Sequence, residues 1–72
     1  MTASRVAYMA NQIAANFAAQ GQDTAVADIA DHLQKFWEPR MRRALLALVA
    51  SGGQSLDPLV IAAAGRLEKS SA

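Results

Sequence analysis

Residues 36–43 read FWEPRMRR, and this stretch decides how the chain folds. A proline restricts the residue before it to extended backbone, and its own fixed φ suits the first position of a helix. We therefore expect one helix to end near Trp37 and the next to begin at Pro39. The break predicts two aromatic rings at the end of the first helix, close to three arginines in the first turn of the second.

These three arginines are unfavourably placed for their own helix. Cations in the first turn face the positive end of the helix dipole, which costs about 0.3–1 kcal/mol each when they are exposed. We expect a compensating partner, either a carboxylate of the same fold or an acidic, aromatic-lined surface on another protein. Because Trp and Arg dominate the energetics of interfaces, we predict Trp37, Arg40 and Arg42 as interface residues. The alternatives are core packing for Trp37, and carbonyl capping or pairing with Glu38 for the two arginines.

Length and composition limit what the chain can do alone. Its 72 residues predict a single helical domain over residues 1–72, and a chain of this size buries only about 60% of the surface that its unfolded form exposes. Hydrophobic residues make up 53% of the chain, but seventeen of them are alanines, and there is no cysteine for a disulfide or thiolate metal site. Docking on another protein is the remaining common source of stability.

The charge of the chain points to no polyanionic partner. The formal net charge is +1 and the pI is about 8.3, values too mild to indicate binding to nucleic acid or a membrane surface. We find no signal peptide and no apolar run of the roughly 18 residues that a membrane span needs. The expected location is the cytoplasm.

A first amphipathic helix is predicted from about Ala3 to Gln20. Its apolar residues at helical spacing are Val6, Met9, Ile13 and Phe17, with Ala10 and Ala14 beside them. No charge lies between Arg5 and Asp23, although the solvent face of a helix normally carries charges. The helix is either kept soluble by Asn and Gln or contacted on both sides, and we favour the second reading. Asn11 and Gln12 are therefore further candidate interface residues.

A second helix is predicted after Gly21, with Asp23 or Thr24 as its N-cap. Its inward positions are Val26, Ile29, Ala30, Leu33 and either Phe36 or Trp37. The pairs Asp28–His32 and Asp31–Lys35 have the spacing of helix-supporting ion pairs.

His32 is the only histidine of the chain and lies at the edge of this inward stripe. Its first reading is a boundary residue whose ring nitrogen is satisfied, and its second is an interface contact. Metal ligation is the weakest reading, because one His without Cys cannot supply three or four ligands. We include His32 among the candidate interface residues.

The third helix is predicted from Pro39 to about Ser51, with Met41, Leu45 and Leu48 on one line. Its apolar arc covers about 200°, compared with the roughly 100° that faces the core in a surface helix. We therefore predict a docking face near Arg42, Leu46 and Val49.

A fourth helix is predicted from the turn and start signals that follow. Gly52 and Gly53 indicate the end of the third helix. The start of the fourth helix is indicated by Leu56, Asp57, Pro58 and Ile61. Its inward positions are Val60, Ala64 and Leu67, and residues 69–72 are predicted to be a frayed tail. The fold class is therefore all-α, a small bundle of four short helices joined by tight turns.

Catalysis by this chain alone is not expected. One His, no Cys and six carboxylates placed at caps and in i, i+4 pairs do not form a catalytic constellation. A helix-turn-helix nucleic-acid-binding protein is the alternative, because Arg40, Arg42 and Arg43 begin a helix, where recognition residues lie. The low net charge and Leu46, where a polar residue is expected, argue against it.

Several stretches resemble one protein family in order and spacing. They are MANQI at 9–13, IADHL at 29–33, FWEPRMR at 36–42, LLA at 45–47, GG at 52–53 and LDPLV at 56–60. Together they resemble the delta subunit of the soluble NAD-dependent, molybdenum-containing formate dehydrogenases, over roughly residues 8–64. The FWxPRMR run is the specific part of this resemblance.

The resemblance implies a non-catalytic accessory subunit without a cofactor of its own. Its partner would be the catalytic alpha subunit, which carries bis-molybdopterin guanine dinucleotide and iron–sulfur clusters and which the delta subunit would help to assemble or stabilise. The beta and gamma subunits of the same complex would supply FMN and the NAD site.

Overall fold

Residues 2–71 of the computed structural model form four α-helices, and side chains are described for residues 2–67. The helices are α1 (Ala3–Phe17), α2 (Gln22–Phe36), α3 (Pro39–Ala50) and α4 (Pro58–Ser71), and a turn of 3-10 helix at Ala18–Gln20 extends α1. This confirms the all-α fold of four short helices. The backbone of α4 is helical to Ser71, and Ala72, the last residue of the predicted frayed tail, lies outside the described residues.

The start of α2 differs from the prediction. Gly21, with a φ of +94°, is the N-cap residue, and no side chain caps this end, so Asp23 or Thr24 as the cap was wrong. The Gly21 carbonyl accepts the Ala25 N–H at 2.9 Å, which closes the first turn. Glycine adopts positive φ without steric cost, so the chain reverses at Gly21 and α2 begins directly after it. Asp23 lies in the first turn, where its charge is favourable to the helix dipole.

The break between α2 and α3 lies where the sequence predicts it. Trp37 and Glu38 have extended backbone, with ψ of 138° and 151°, and Pro39 opens α3. Trp37 is buried, with 6% of its surface exposed, whereas Phe36 is 72% exposed. The reason is that Trp37 lies four residues beyond Leu33 and eight beyond Ile29, so it extends the line of α2 that faces the core.

The connection from α3 to α4 also follows the sequence signals. Gly53 N–H donates to the Leu48 carbonyl at 3.0 Å and Gly52 N–H to the Val49 carbonyl at 3.1 Å, the two bonds of a Schellman motif. Both glycines have positive φ. The Asp57 carboxylate then accepts the Leu59 N–H at 2.8 Å and caps α4.

The core is small and rich in alanine. α2 and α4 form the most extensive helix pair, and α1 packs on both α2 and α3. The largest fully buried side chains among the described residues are Ile29, Leu33, Leu45, Val6 and Val60. Ala64 and Leu67 of α4 are buried too, so the predicted inward face of that helix is confirmed.

The row of α1 that faces the core is smaller than the sequence indicated. Val6, Ala10 and Ala14 are buried, whereas Met9, Ile13 and Phe17 are half-buried at its flank. Alanines at the centre allow α1 to approach its neighbours closely, and the larger residues then pack at the margin. In α3 the same happens, since Leu45 is buried while Met41 and Leu48 stay half-buried.

Replacement of the two aromatic residues at the break tests this arrangement. Trp37→Ala should lower the free energy of unfolding by about 3–5 kcal/mol, because it empties a large core position. The matched variant Phe36→Ala should change it by less than about 0.5 kcal/mol, because that ring is exposed. Urea denaturation followed by circular dichroism measures both, and equal losses would contradict the assignment of Trp37 to the core.

Two glycine substitutions test the helix and turn geometry. A Cβ added at Gly65 would have no heavy atom within 4 Å, apart from its two chain neighbours and the backbone of its own helix. Gly65→Ala should therefore stabilise α4 by about 1 kcal/mol. Gly53→Ala should destabilise the chain by about 1–2 kcal/mol, because left-handed backbone is unfavourable for alanine. At Gly53, φ is +61° and a Cβ would lie 3.1 Å from Ile61 Cδ1. Opposite signs in thermal denaturation are expected, and a destabilising Gly65→Ala would contradict the open space at that position.

Candidate interaction site

The seven predicted interface residues differ widely in their exposure. The exposed residues are Arg40 and Gln12, the half-buried ones are His32, Leu46, Arg42 and Asn11, and the buried one is Trp37. Several of them form contacts within the chain.

Arg42 holds the broken ends of α2 and α3 together. Its Nη1 donates to the carbonyl of Gln34 at 3.2 Å and to the carbonyl of Trp37. The last carbonyls of a helix have no partner within the helix and form the negative end of its dipole, so a guanidinium is favourable there. The charge of Arg42 is thus compensated by backbone carbonyls and not by a carboxylate. This agrees with the alternative in which the arginine caps carbonyls.

Arg40 and Arg43 have no such compensation. Both side chains are exposed, and neither forms an ion pair or hydrogen bond with another described side chain. Glu38 is exposed nearby in sequence but does not pair with the arginines. Two of the three arginines that follow Pro39 therefore remain directed to solvent.

Asn11 fastens the connection between α3 and α4 to α1. Its Nδ2 donates to the Ser55 carbonyl at 2.8 Å, and its Oδ1 accepts the Asp57 N–H at 2.8 Å. The two groups it contacts are 44 and 46 residues away in sequence. Sequence reasoning could not find this role, because no local pattern reveals so distant a partner. Gln12, its neighbour, stays exposed.

Three rings form a row on the surface of α1 and α2, which we call the aromatic row: Phe17, His32 and Phe36. The centroids of Phe17 and His32 are 6.4 Å apart with the rings at 61°, and those of His32 and Phe36 are 4.9 Å apart at 45°. These ring contacts take the place of the predicted Asp28–His32 pair, whereas the Asp31–Lys35 pair forms at 3.2 Å. The row leaves the Phe36 ring open to solvent.

An open groove lies between the start of α1 and α3, and we call it the α1–α3 groove. Its volume is about 590 Å³. It is lined by Thr2, Ala3, Val6, Glu38, Arg40, Met41, Ala44, Ala47 and Leu48. Leu46 and Val49, near which we predicted the docking face, are half-buried and pack against the core, as do Met41, Ala44 and Leu48 of the groove. The surplus apolar arc of α3 is therefore open on its Met41–Leu48 side.

We searched the described residues for groups of side chains that could ligate a metal ion. No three His, Asp or Glu side chains among them are grouped as metal ligands. Iron–sulfur clusters need Cys thiolates, and the chain has no cysteine. Within residues 2–71, no helix combines the length and the hydropathy needed to cross a membrane.

Replacement of Asn11 tests the fastening of the α3–α4 connection. Asn11→Ala should lower the free energy of unfolding by about 1–3 kcal/mol, because the Asp57 N–H and the Ser55 carbonyl lose their partner. Hydrogen exchange at the Asp57 amide should become faster in the same variant. Asn16→Ala, at an exposed position of the same helix, is the control, and equal effects of the two would contradict the specific role of Asn11.

A comparison with known protein families identifies the family of this chain. The family model of the NADH-dependent formate dehydrogenase delta subunit FdsD matches residues 5–64, which include α2, α3 and most of α1. This confirms the resemblance carried by the FWEPRMR stretch. No curated protein and no solved structure matches the chain. The chain therefore belongs to the FdsD family, the delta subunits of NADH-dependent formate dehydrogenase.

Proposed function

We propose that this chain is a non-catalytic accessory subunit that docks on the molybdenum-containing alpha subunit of an NAD-dependent formate dehydrogenase in the cytoplasm. There it supports the assembly or the stability of the catalytic subunit. Family membership supports a place in the complex. The beta and gamma subunits are its further neighbours in this proposal.

The side-chain chemistry supports a non-catalytic role. The one histidine contacts two phenylalanine rings, and the chain has no thiol. The bis-molybdopterin guanine dinucleotide, the iron–sulfur clusters, FMN and NAD therefore belong to partner subunits in this proposal. In this proposal, the chain contributes a surface for interaction with its partner.

The observation that carries the docking proposal is apolar surface that the fold leaves uncovered. Phe36 is 72% and Tyr8 64% exposed, and the α1–α3 groove adds a concave apolar surface. Exposed aromatic residues and contiguous apolar surface on a small protein mark interaction sites. A partner that covers these surfaces adds the burial that a chain of this size lacks.

The seven candidate residues have two different roles in this proposal. Arg40, Gln12 and the half-buried Leu46 act directly or at the rim of the interface. Trp37, Arg42 and Asn11 act indirectly, because they hold the helices that present the surface. His32 positions the Phe36 ring through the aromatic row, which makes it an interface residue by contact with its neighbour.

The nucleic-acid-binding alternative finds no support. Arg42 donates to backbone carbonyls of the chain itself, so it is not free to contact phosphate. Leu46 packs against the core where a residue that reads bases would be exposed. We do not propose this function.

Substitution of Arg40 in the whole complex tests the proposal. Arg40→Ala should reduce co-purification of this chain with the alpha subunit about tenfold, because interface arginines often contribute more than 1 kcal/mol. Arg66→Ala, at an exposed position of α4, is the matched control and should co-purify fully. The measured quantity is the ratio of the two subunits after affinity purification. If the unmodified chain does not co-purify with the alpha subunit in the first place, the docking proposal is wrong.

Removal of the chain separates a permanent subunit from an assembly factor. Cells that lack it should yield complex with less bound molybdenum cofactor and less formate oxidation. If the mature complex then keeps its activity after this chain is stripped from it, the chain acts during assembly. If activity declines after stripping, the chain stabilises the mature complex.

A further inference from the structure

We draw no further inference here: the strongest candidate, the open α1–α3 groove, carries one arginine and one glutamate on an otherwise mainly apolar lining, and nothing in the structure shows what covers it.

Discussion

The steric clash between a proline ring and the residue before it is the constraint on which this end of the molecule depends. Pro39 restricts Glu38 to extended backbone, Trp37 before it is extended too, and α2 ends and α3 begins within two residues. The Trp37 side chain then completes the buried line of α2. The final carbonyls of α2 come within reach of Arg42, which is in the first turn of α3. One local restriction thus supplies both a large core residue and the hydrogen bonds that hold two helices together.

The three arginines that follow this proline have divided roles. Arg42 neutralises the negative end of α2 and belongs to the fold. Arg40 and Arg43 remain exposed, and the charge of Arg40 in the first turn is unfavourable to the helix dipole until an acidic group approaches. A charge cluster that is partly unfavourable in the isolated chain is consistent with a subunit that acts within a complex. The same cluster thereby connects the stability of the fold to the proposed docking surface.

Alanine at the centre of the core explains how so short a chain also displays apolar surface. Ala10, Ala14, Ala63 and Ala64 are buried and let the helices approach closely, so there is little space for larger side chains between them. Larger apolar residues pack at the margins instead, and they line the α1–α3 groove and the aromatic row. Burial of that margin by a partner is the physical basis of the accessory role proposed for this member of the FdsD family.

Signals within four or five residues of one another could be read from the sequence. The break at Pro39, the two glycines after α3 and the Asp57–Pro58 start of α4 are of this kind, because each depends on local backbone geometry and hydrogen bonds. Where two residues could each begin a helix, the sequence did not decide between them: the N-cap residue of α2 is Gly21 and not Asp23. The family was also readable, because the FWEPRMR stretch is specific.

Only the tertiary structure decided which surfaces are left open. The flank of α3 that borders the groove depends on where neighbouring helices lie, which helical periodicity does not contain. The hydrogen bonds of Asn11 join groups 44 and 46 residues apart, and their geometry exists only once α1 and α4 are packed. The sequence by itself determined the four helices, the break at Pro39, the turn after α3 and the family, because these follow from interactions between near neighbours in the chain. The candidate site was decided by the fold, because a surface is made of residues that only packing brings together.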